Sequence, residues 1–484
     1  MPSQLFLLSI PSLKKRSIIS LLITFFLITV LGCKKFIDVS PPVTSLTDAS
    51  VFTTDANAIA ALTGLYSGMI SSSDLSTGFI SMSLLPALSA DELSLFATSN
   101  TTYAPYYTNN LNSSANGDIY WNTAYPMLFT INSAIAGLNA SNSLTPAIRQ
   151  QLLGEAKFMR AFCYFYLVNM YGDVPLVTDI DYNSNSKLSR SAQANVYQQI
   201  IFDLKDAKVF LSGNYLDASL VNVTLERVRP TKWAAAALLA RTYLYTGDWE
   251  NAEIESDSVI KMNSLFSLDT LGGVFLKNGP EAIWQLQPVI SGYNSQAGRF
   301  FTLPASGPSN SFPVYLSSTL INSFETGDMR MQNWTSNVTV GGATYYFPSK
   351  YKVNTLITPP SEYETVLRLG EQYLTRSEAR AHQNKLADAV NDLNAIRARA
   401  GLSAVNNLIT QSDVLNSIYH ERQVELFTEW GHRWLDLKRT GLIDATMSVV
   451  TPQKGGIWAS YKKWYPIPFT EIKNDANLVQ NEGY

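Results

Sequence analysis

Loop segments of this 484-residue chain contain aromatic and amide side chains that are suited to binding a sugar or a peptide. Sugar rings stack on aromatic faces, and sugar hydroxyl groups pair with Asn, Arg and backbone groups. The predicted ligand-binding residues form three clusters, which are Tyr103, Tyr106, Tyr107 and Asn109; Tyr293, Arg299 and Phe301; and Trp334. Their neighbours in the same clusters are Asn110, Asn294, Phe300, Tyr345 and Tyr346.

The carboxylates and histidines of the chain indicate catalysis less clearly than the loop aromatics indicate ligand binding. A glycosidase holds two carboxyl groups about 5–9.5 Å apart across the sugar, but Asp91 and Glu92 are adjacent and point apart on an extended chain. Glu421 and Glu425 share a helix face and are expected to be packed scaffold residues. No metal-ligand spacing connects the three histidines, which are His382, His420 and His432. We therefore predict that the protein is not an enzyme and needs no metal or cofactor.

The first 32 residues have the pattern of a secretion signal. Three basic residues at 14–16 precede an apolar run of about fifteen residues at 17–31, which is shorter than the roughly twenty that a spanning helix needs. The run ends in Val-Leu-Gly-Cys at Cys33, which resembles a bacterial lipobox. We predict a diacylglycerol group on Cys33 and a tether over residues 33–47. An ordinary secretion signal with an accidental cysteine is the alternative.

Composition excludes several classes of protein. A hydrophobic fraction of 46% with 15% charged residues is not that of a disordered chain. Two cysteines are too few for a disulfide scaffold, and Cys163 lies in an apolar helical segment, where we expect an inert thiol. A net charge of −3 offers no broad attraction for nucleic acid.

Helical periodicity dominates the rest of the chain. Helices are predicted at 55–70, 121–138, 148–171, 194–211, 232–262 as a pair, 370–401 as a pair, and 412–434. The segment 148–171 is apolar on nearly every face, so we expect a central buried helix. Two regions, at about 71–118 and 277–362, are rich in Ser, Asn, Gly and Pro and predict loops with a few short strands. Loops of this kind often line binding surfaces.

The pair at 232–262 carries a repeat signal. Ala240, Tyr243, Gly247, Trp249 and Ala252 stand at offsets of 0, 3, 7, 9 and 12 residues. This spacing resembles the tetratricopeptide pattern, in which small residues allow two helices to cross closely. Two unrelated helical hairpins are the alternative.

Several blocks of sequence, in order along the chain, resemble the SusD/RagB lipoproteins. The segment 154–165 reads Gly-Glu-Ala-Lys-Phe-Met-Arg-Ala-Phe-Cys-Tyr-Phe, and Tyr-Gly-Asp-Val-Pro-Leu follows at 171–176, as in the hallmark helix of that family. Further similar blocks lie at 327–330, 371–379, 393–401, 421–426, 433–439 and 465–484. The spacing at 429–433 departs from the family pattern.

The resemblance implies a mainly α-helical fold in which about four tetratricopeptide-like helix pairs support an irregular, loop-rich half within one domain at 48–484. It also implies an outer-membrane lipoprotein that faces outward and captures oligosaccharides, or less often peptides, for a TonB-dependent, SusC-like barrel. A lipid-anchored adaptor for another protein is a further alternative. We expect structural roles for the hallmark residues: Glu155 and Arg160 do not face each other on a helix, and Asp328 and Arg330 form an internal ion pair or a turn.

Overall fold

The computed structural model describes residues 49–71, 75–407 and 409–484. The predicted signal segment, the lipidation site at Cys33 and the tether lie outside these residues. Within them, helices account for most of the regular structure, and the six strands are three to six residues long. The prediction of a mainly α-helical fold is confirmed.

Eighteen α-helices occur in the described part of the chain. They are α1 (Asp55–Met69), α2 (Leu85–Ser89), α3 (Ala104–Tyr107), α4 (Ile119–Ala140), α5 (Pro146–Tyr171), α6 (Tyr182–Asn185), α7 (Gln193–Phe210), α8 (Lys232–Thr246), α9 (Trp249–Ile260), α10 (Gln296–Phe301), α11 (Ser318–Ile321), α12 (Met329–Asn333), α13 (Leu369–His382), α14 (Leu386–Arg399), α15 (Gln411–Glu425), α16 (His432–Arg439), α17 (Ile443–Gln453) and α18 (Phe469–Asn474). Among the described residues, none of these helices is long and apolar enough to cross a bilayer.

The strands pair only in twos within the described residues. They are β1 (Leu93–Leu95), β2 (Ala282–Leu286), β3 (Val314–Leu316), β4 (Thr335–Val340), β5 (Ala343–Pro348) and β6 (Glu364–Arg368). β1 pairs with β3, β2 with β6 and β4 with β5, and every pair is antiparallel. β1 and β3 come from the two regions that the sequence predicted to be irregular.

Helix α5 forms the centre of the core, as its sequence predicted. Every residue from 158 to 171 is buried, and Gly172 ends the helix with a φ of 77° that favours glycine. The rings of Phe158 and Phe162 meet the ring of Trp284 edge-on, with centres 5.0 and 5.4 Å apart. Helix α5 thereby joins the helical half to strand β2.

Two helix pairs have the predicted tetratricopeptide-like form. Gly247, in the left-handed conformation, ends α8, and Asp248 caps α9 by accepting a hydrogen bond from the amide of Asn251 at 3.3 Å. Helices α13 and α14 form the second pair, and α9 packs against α13. Between them, the rings of Trp249 and His382 stack with their centres 3.8 Å apart.

The sequence predicted one helix over 412–434, but the structure has a break between α15 and α16. Thr428 and Trp430 lie in the break with positive φ angles of 52° and 45°. The amide of Thr428 donates to Glu92 Oε1 at 3.2 Å, and the amide of Trp430 donates to Ser83 Oγ at 3.1 Å. Bonds to a segment far away in sequence therefore outweigh the local preference for helix.

Ion pairs between largely buried side chains connect several of the family-like blocks. This buried ionic network consists of Arg330, Arg368, Arg399, Lys350, Asp328, Glu281, Glu421, Glu425 and Glu429. Arg330 pairs with Asp328 at 2.8 Å, as predicted, and with Glu421 at 2.6 Å. Glu421 and Glu425 are therefore scaffold residues. Burial alone would raise the pKa of Glu425, but the surrounding arginines hold that pKa well below its ordinary value.

The hallmark residues of α5 also have structural partners. Glu155 accepts a hydrogen bond from Arg229 at 2.8 Å, and Arg160 pairs with Asp203 at 2.7 Å. These contacts confirm that Glu155 and Arg160 do not pair with each other. Both ion pairs lie in the interior, where each charge requires a partner.

Candidate ligand-binding site

Two short strands hold the two loop-rich regions together. Leu93 of β1 stands opposite Leu316 of β3. The amide of Phe96 then donates to the carbonyl of Pro313 at 2.7 Å, which extends the pairing beyond β1. The loop after β1 and the loop before β3 therefore lie side by side at the surface, and the ring of Phe96 is 47% exposed there.

A surface hollow of about 300 Å³ opens at this junction. We call it the aromatic hollow, and its lining residues are Tyr103, Arg299, Phe300, Asn310, Ser311, Phe312 and Pro313. Tyr103 lies at the start of α3 and Phe300 lies in α10, and their ring centres are 6.1 Å apart in an edge-to-face arrangement. The structure thus brings Tyr103, which is only 8% exposed, and Arg299 into one site, although the two were predicted in separate clusters.

Contacts with the protein interior hold helix α10 in position. The hydroxyl of Ser295 caps it by accepting a hydrogen bond from the amide of Gly298 at 2.9 Å. A Cβ atom on Gly298 would lie 2.8 Å from the carbonyl oxygen of Val353, so the helix approaches that segment as closely as a glycine allows. Phe301 at the end of the helix is 2% exposed and anchors it in the core.

Arg299 and Tyr293 form a stacked pair at the hollow. The guanidinium carbon of Arg299 lies 3.8 Å from the centre of the Tyr293 ring, a distance that gives a favourable cation–π contact. Both side chains, like the ring of Phe300, are partly exposed. The hollow therefore presents aromatic faces and a cation together.

A second group of tyrosines, Tyr107, Tyr315 and Tyr345, lies on or next to strands β1 and β3. Alternate residues of a strand share a face, so Ser94 and Phe96 point to the same side of β1. Tyr107 and Tyr315 both form hydrogen bonds with Ser94, and the ring centres of Tyr315 and Tyr345 are 5.1 Å apart. Burial raises the pKa of both Tyr107 and Tyr315, so their phenol groups stay neutral at physiological pH.

Tyr106 and Asn109 were predicted to contact ligand, but both lie in the interior. The hydroxyl of Tyr106 accepts a hydrogen bond from the amide of Gly117 at 3.0 Å. The Asn109 amide donates to the carbonyl of Ser89 at 3.0 Å, and its oxygen accepts from the hydroxyl of Thr451 at 2.8 Å. The prediction of direct contact is corrected for both residues, because their polar groups are satisfied inside the protein and hold the loop in place.

Phe301 and Trp334 require the same correction. Trp334 is fully buried, and its indole nitrogen donates to the carbonyl of Leu271 at 2.8 Å. Burying a large ring contributes about 1.5–3 kcal/mol to stability, which favours the core over an exposed position. The two rings therefore support the site from within and do not reach an external ligand.

Sequence reasoning missed several residues that line or border the hollow. Phe96, Asn310, Ser311 and Phe312 were not among the predicted contacts. The segment 309–313 reads Ser-Asn-Ser-Phe-Pro, which has the same mixture of one ring with amide and hydroxyl groups that marked the predicted clusters. That signal could have identified Phe312, whereas the exposure of Phe96 depends on the pairing of β1 with β3.

The carboxylates considered for catalysis lie outside the hollow. Asp91 pairs with Arg433 at 2.7 Å, and although burial opposes it, this arginine lowers the pKa of Asp91. Burial, reinforced by the charge of Asp91, raises the pKa of Glu92 to about 8. Both side chains are buried. Among the described residues that line the hollow, none is Asp, Glu, His or Cys.

Comparison with protein families gives two matches. Residues 35–244 match a family described as "Starch-binding associating with outer membrane", and residues 329–484 match the SusD family. The two matches together cover well over half of the chain.

Known relatives agree with these matches. SusD-like protein P2 of Formosa agariphila is 25% identical, with 96% of this chain and 99% of that protein covered. The starch-binding protein SusD of Bacteroides thetaiotaomicron is 36% identical over a shorter stretch, which covers 26% of this chain and 22% of that protein.

Solved structures share the fold. A SusD superfamily protein from Bacteroides vulgatus has a TM-score of 0.75 at 19% identity, with 90% of this chain and 100% of that chain covered. A laminarin-binding SusD-like protein has a TM-score of 0.73 at 24% identity, with 88% of this chain and 99% of that chain covered. The order of the sequence blocks, the helical architecture and these matches agree, and the chain belongs to the SusD/RagB family.

Proposed function

We propose that this protein is a non-catalytic, oligosaccharide-binding lipoprotein of the bacterial outer membrane that delivers its ligand to a TonB-dependent, SusC-like transporter. The aromatic hollow carries this proposal. Its rings offer stacking faces for sugars, while Asn310, Ser311 and Arg299 offer hydrogen bonds to their hydroxyl groups. Each contact is weak, so affinity accumulates along an oligomer and still permits release to a partner.

The relatives support a carbohydrate as the ligand. One solved relative is described as laminarin-binding, and one similar protein is a starch-binding protein. The matching family is itself described as starch-binding. These descriptions favour a glycan over the peptide and protein-adaptor alternatives.

A lipid anchor at Cys33 fits the family's description as associating with the outer membrane. Each buried CH₂ group of an acyl chain contributes about 0.8 kcal/mol, so two or more chains give stable anchoring. The body of the protein would then face outward over the transporter. Replacing Cys33 by Ala should move the protein into the soluble fraction without changing its affinity for glycans.

Phe312 lines the hollow, and the exposed Phe96 lies next to it on the segment that pairs with Pro313, so these two rings test the site. We expect the double substitution Phe96→Ala and Phe312→Ala to reduce retention of a bound oligosaccharide on an affinity gel by about tenfold or more, because stacking area is lost. The matched control is Phe129→Ala in α4, since Phe129 is also 47% exposed but lies outside the hollow. The control should bind as the wild type does.

The same preparation distinguishes the alternatives. The bound glycan should be recovered chemically unchanged, and turnover by homogeneous protein would contradict the non-catalytic proposal. Equal loss of binding in the Phe129→Ala control would show that the hollow is not the site. Retention of peptides in place of any glycan would favour the peptide-binding alternative.

A further inference from the structure

Among the arginines that the structure describes, Arg299 differs in having no polar partner within residues 49–71, 75–407 and 409–484. Every other arginine in the described part of the chain donates at least one hydrogen bond to an oxygen of the protein. Arg299 forms no hydrogen bond or ion pair with any described residue, and its Nη1 atom is buried without an acceptor. The other guanidinium groups in the described segments each have a polar partner, whereas the charge of Arg299 has no partner there.

The surroundings of Arg299 hold its guanidinium group in place without supplying a negative charge. The side chain is partly buried, which weakens the screening of its charge by water. Stacking on Tyr293 at 3.8 Å fixes the plane of the guanidinium group. The other residues that line the hollow supply aromatic rings, the amide of Asn310 and the hydroxyl groups of Tyr103 and Ser311, but no carboxylate. The hollow therefore carries a positively charged, pre-oriented group that an anion would neutralise.

We propose that Arg299 selects oligosaccharides that carry an anionic group, either the carboxylate of a uronic acid or a sulfate ester. This inference rests on the proposed function, because it specifies which glycans the hollow binds. A planar guanidinium group donates two parallel hydrogen bonds to a carboxylate or sulfate, and such charge-assisted bonds are stronger than bonds to a neutral hydroxyl. A neutral sugar would leave the charge of Arg299 uncompensated.

Matched pairs of glycans test the proposal. The first pair is oligogalacturonate and its carboxyl-reduced form, and the second is a sulfated galactan and its desulfated form. We expect the wild type to bind at least one acidic member about tenfold or more tightly than its neutral counterpart, as measured by isothermal titration calorimetry. The pair that shows the difference identifies the anion as carboxylate or sulfate.

Variants assign the preference to Arg299. Arg299→Gln should abolish the difference between acidic and neutral glycans, and Arg299→Lys should keep part of it, because the charge remains while the planar fork is lost. Since Arg299 forms no hydrogen bond or ion pair with a described residue, both variants should fold, and the lost stacking on Tyr293 should lower the unfolding temperature of Arg299→Gln only slightly. The control is Lys473→Gln, which removes one positive charge from an exposed residue of α18 and should keep the full preference.

Each outcome decides between the proposals. Equal affinity for both members of every pair, or equal loss of both in Arg299→Gln, would overturn the inference and leave glycan binding intact. Binding of acidic peptides with no binding of acidic glycans would also overturn it. Failure of the wild type to retain any glycan would overturn the proposed function itself, and the inference with it.

Discussion

At the scale of single residues, the carboxyl group of Glu364 makes the stability of the protein depend on pH. Its carboxyl group is buried beneath the start of α10, the helix that carries Arg299, and one oxygen lacks a partner among the described residues. Burial raises the pKa of Glu364 to about 8, although the amides of Ala297 and Gln296 oppose the shift. At neutral pH the folded state therefore favours the protonated carboxyl.

This raised pKa predicts a loss of stability with rising pH. Between its ordinary value of 4.5 and about 8, Glu364 holds more protons in the folded state than in the unfolded state, so its contribution falls as pH increases. Glu364→Gln removes the titration. The melting temperature of the variant relative to the wild type should be higher at about pH 8.5 than at about pH 5, by on the order of a few degrees. Substituting the exposed Glu250 by Gln should give the same difference at both pH values.

At the scale of elements, the break between α15 and α16 is a defined joint. Gly431 has a φ of 74° there, and a Cβ atom on it would lie 3.2 Å from Cβ of Pro86. Gly441, just beyond α16, has a nearly identical φ of 73° but open space around the same position. Substituting each glycine by alanine therefore distinguishes the loss of stability due to backbone strain from the loss due to a close contact.

We expect Gly441→Ala to lower the free energy of unfolding by about 1 kcal/mol, because alanine resists a positive φ. Gly431→Ala should lower it by about 1–3 kcal/mol more, since the new methyl group must displace its neighbours. Urea unfolding of both variants measures the difference. Equal losses would show that the segment around Pro86 yields freely and that the joint is not tightly packed.

At the scale of the whole molecule, residues Ala49–Tyr484 form one compact unit. Phe52, near its start, is 4% exposed, and its ring packs so closely on Gly137 that a Cβ atom there would lie 2.1 Å from the ring. The carbonyl of Phe52 also accepts a hydrogen bond from the hydroxyl of Ser141 at 2.6 Å. The segment Ala49–Thr53 is therefore anchored in the core through Phe52.

A pair of shortened chains tests this point. A chain that begins at Ala49 should be more stable than one that begins at Thr53 by about 3 kcal/mol, because the second lacks Phe52 but keeps the cap of α1 at Thr54. Chemical denaturation of the two chains gives the measurement. Phe52→Ala in the longer chain should reproduce most of the loss, and equal midpoints in all three would contradict a core role for Phe52.

Much of the scaffold was predictable because its signals are local. The apolar pattern predicted α5, and the predicted bounds 55–70 and 148–171 lie within two residues of the ends of α1 and α5. The break after α15 was not predictable, because it depends on bonds from Thr428 and Trp430 to residues more than three hundred positions earlier. Local propensity carries no information about such partners.

The same limit applies to the candidate site. Residue type and loop composition pointed to Tyr103 and Arg299, which the structure brings together at the hollow. The same criteria pointed to Tyr106 and Trp334, which are buried. An aromatic ring in a loop is compatible with either position, and the outcome depends on which distant segment packs against it.

The junction of β1 and β3 has a consequence for biogenesis. Tyr103 and Phe312 become neighbours only when two strands of three residues each, at 93–95 and 314–316, have paired. A chain in which β1 and β3 have not yet paired therefore lacks the assembled hollow, and we expect it to bind glycans weakly. Glycan retention measured during refolding would thus report when this long-range pairing forms.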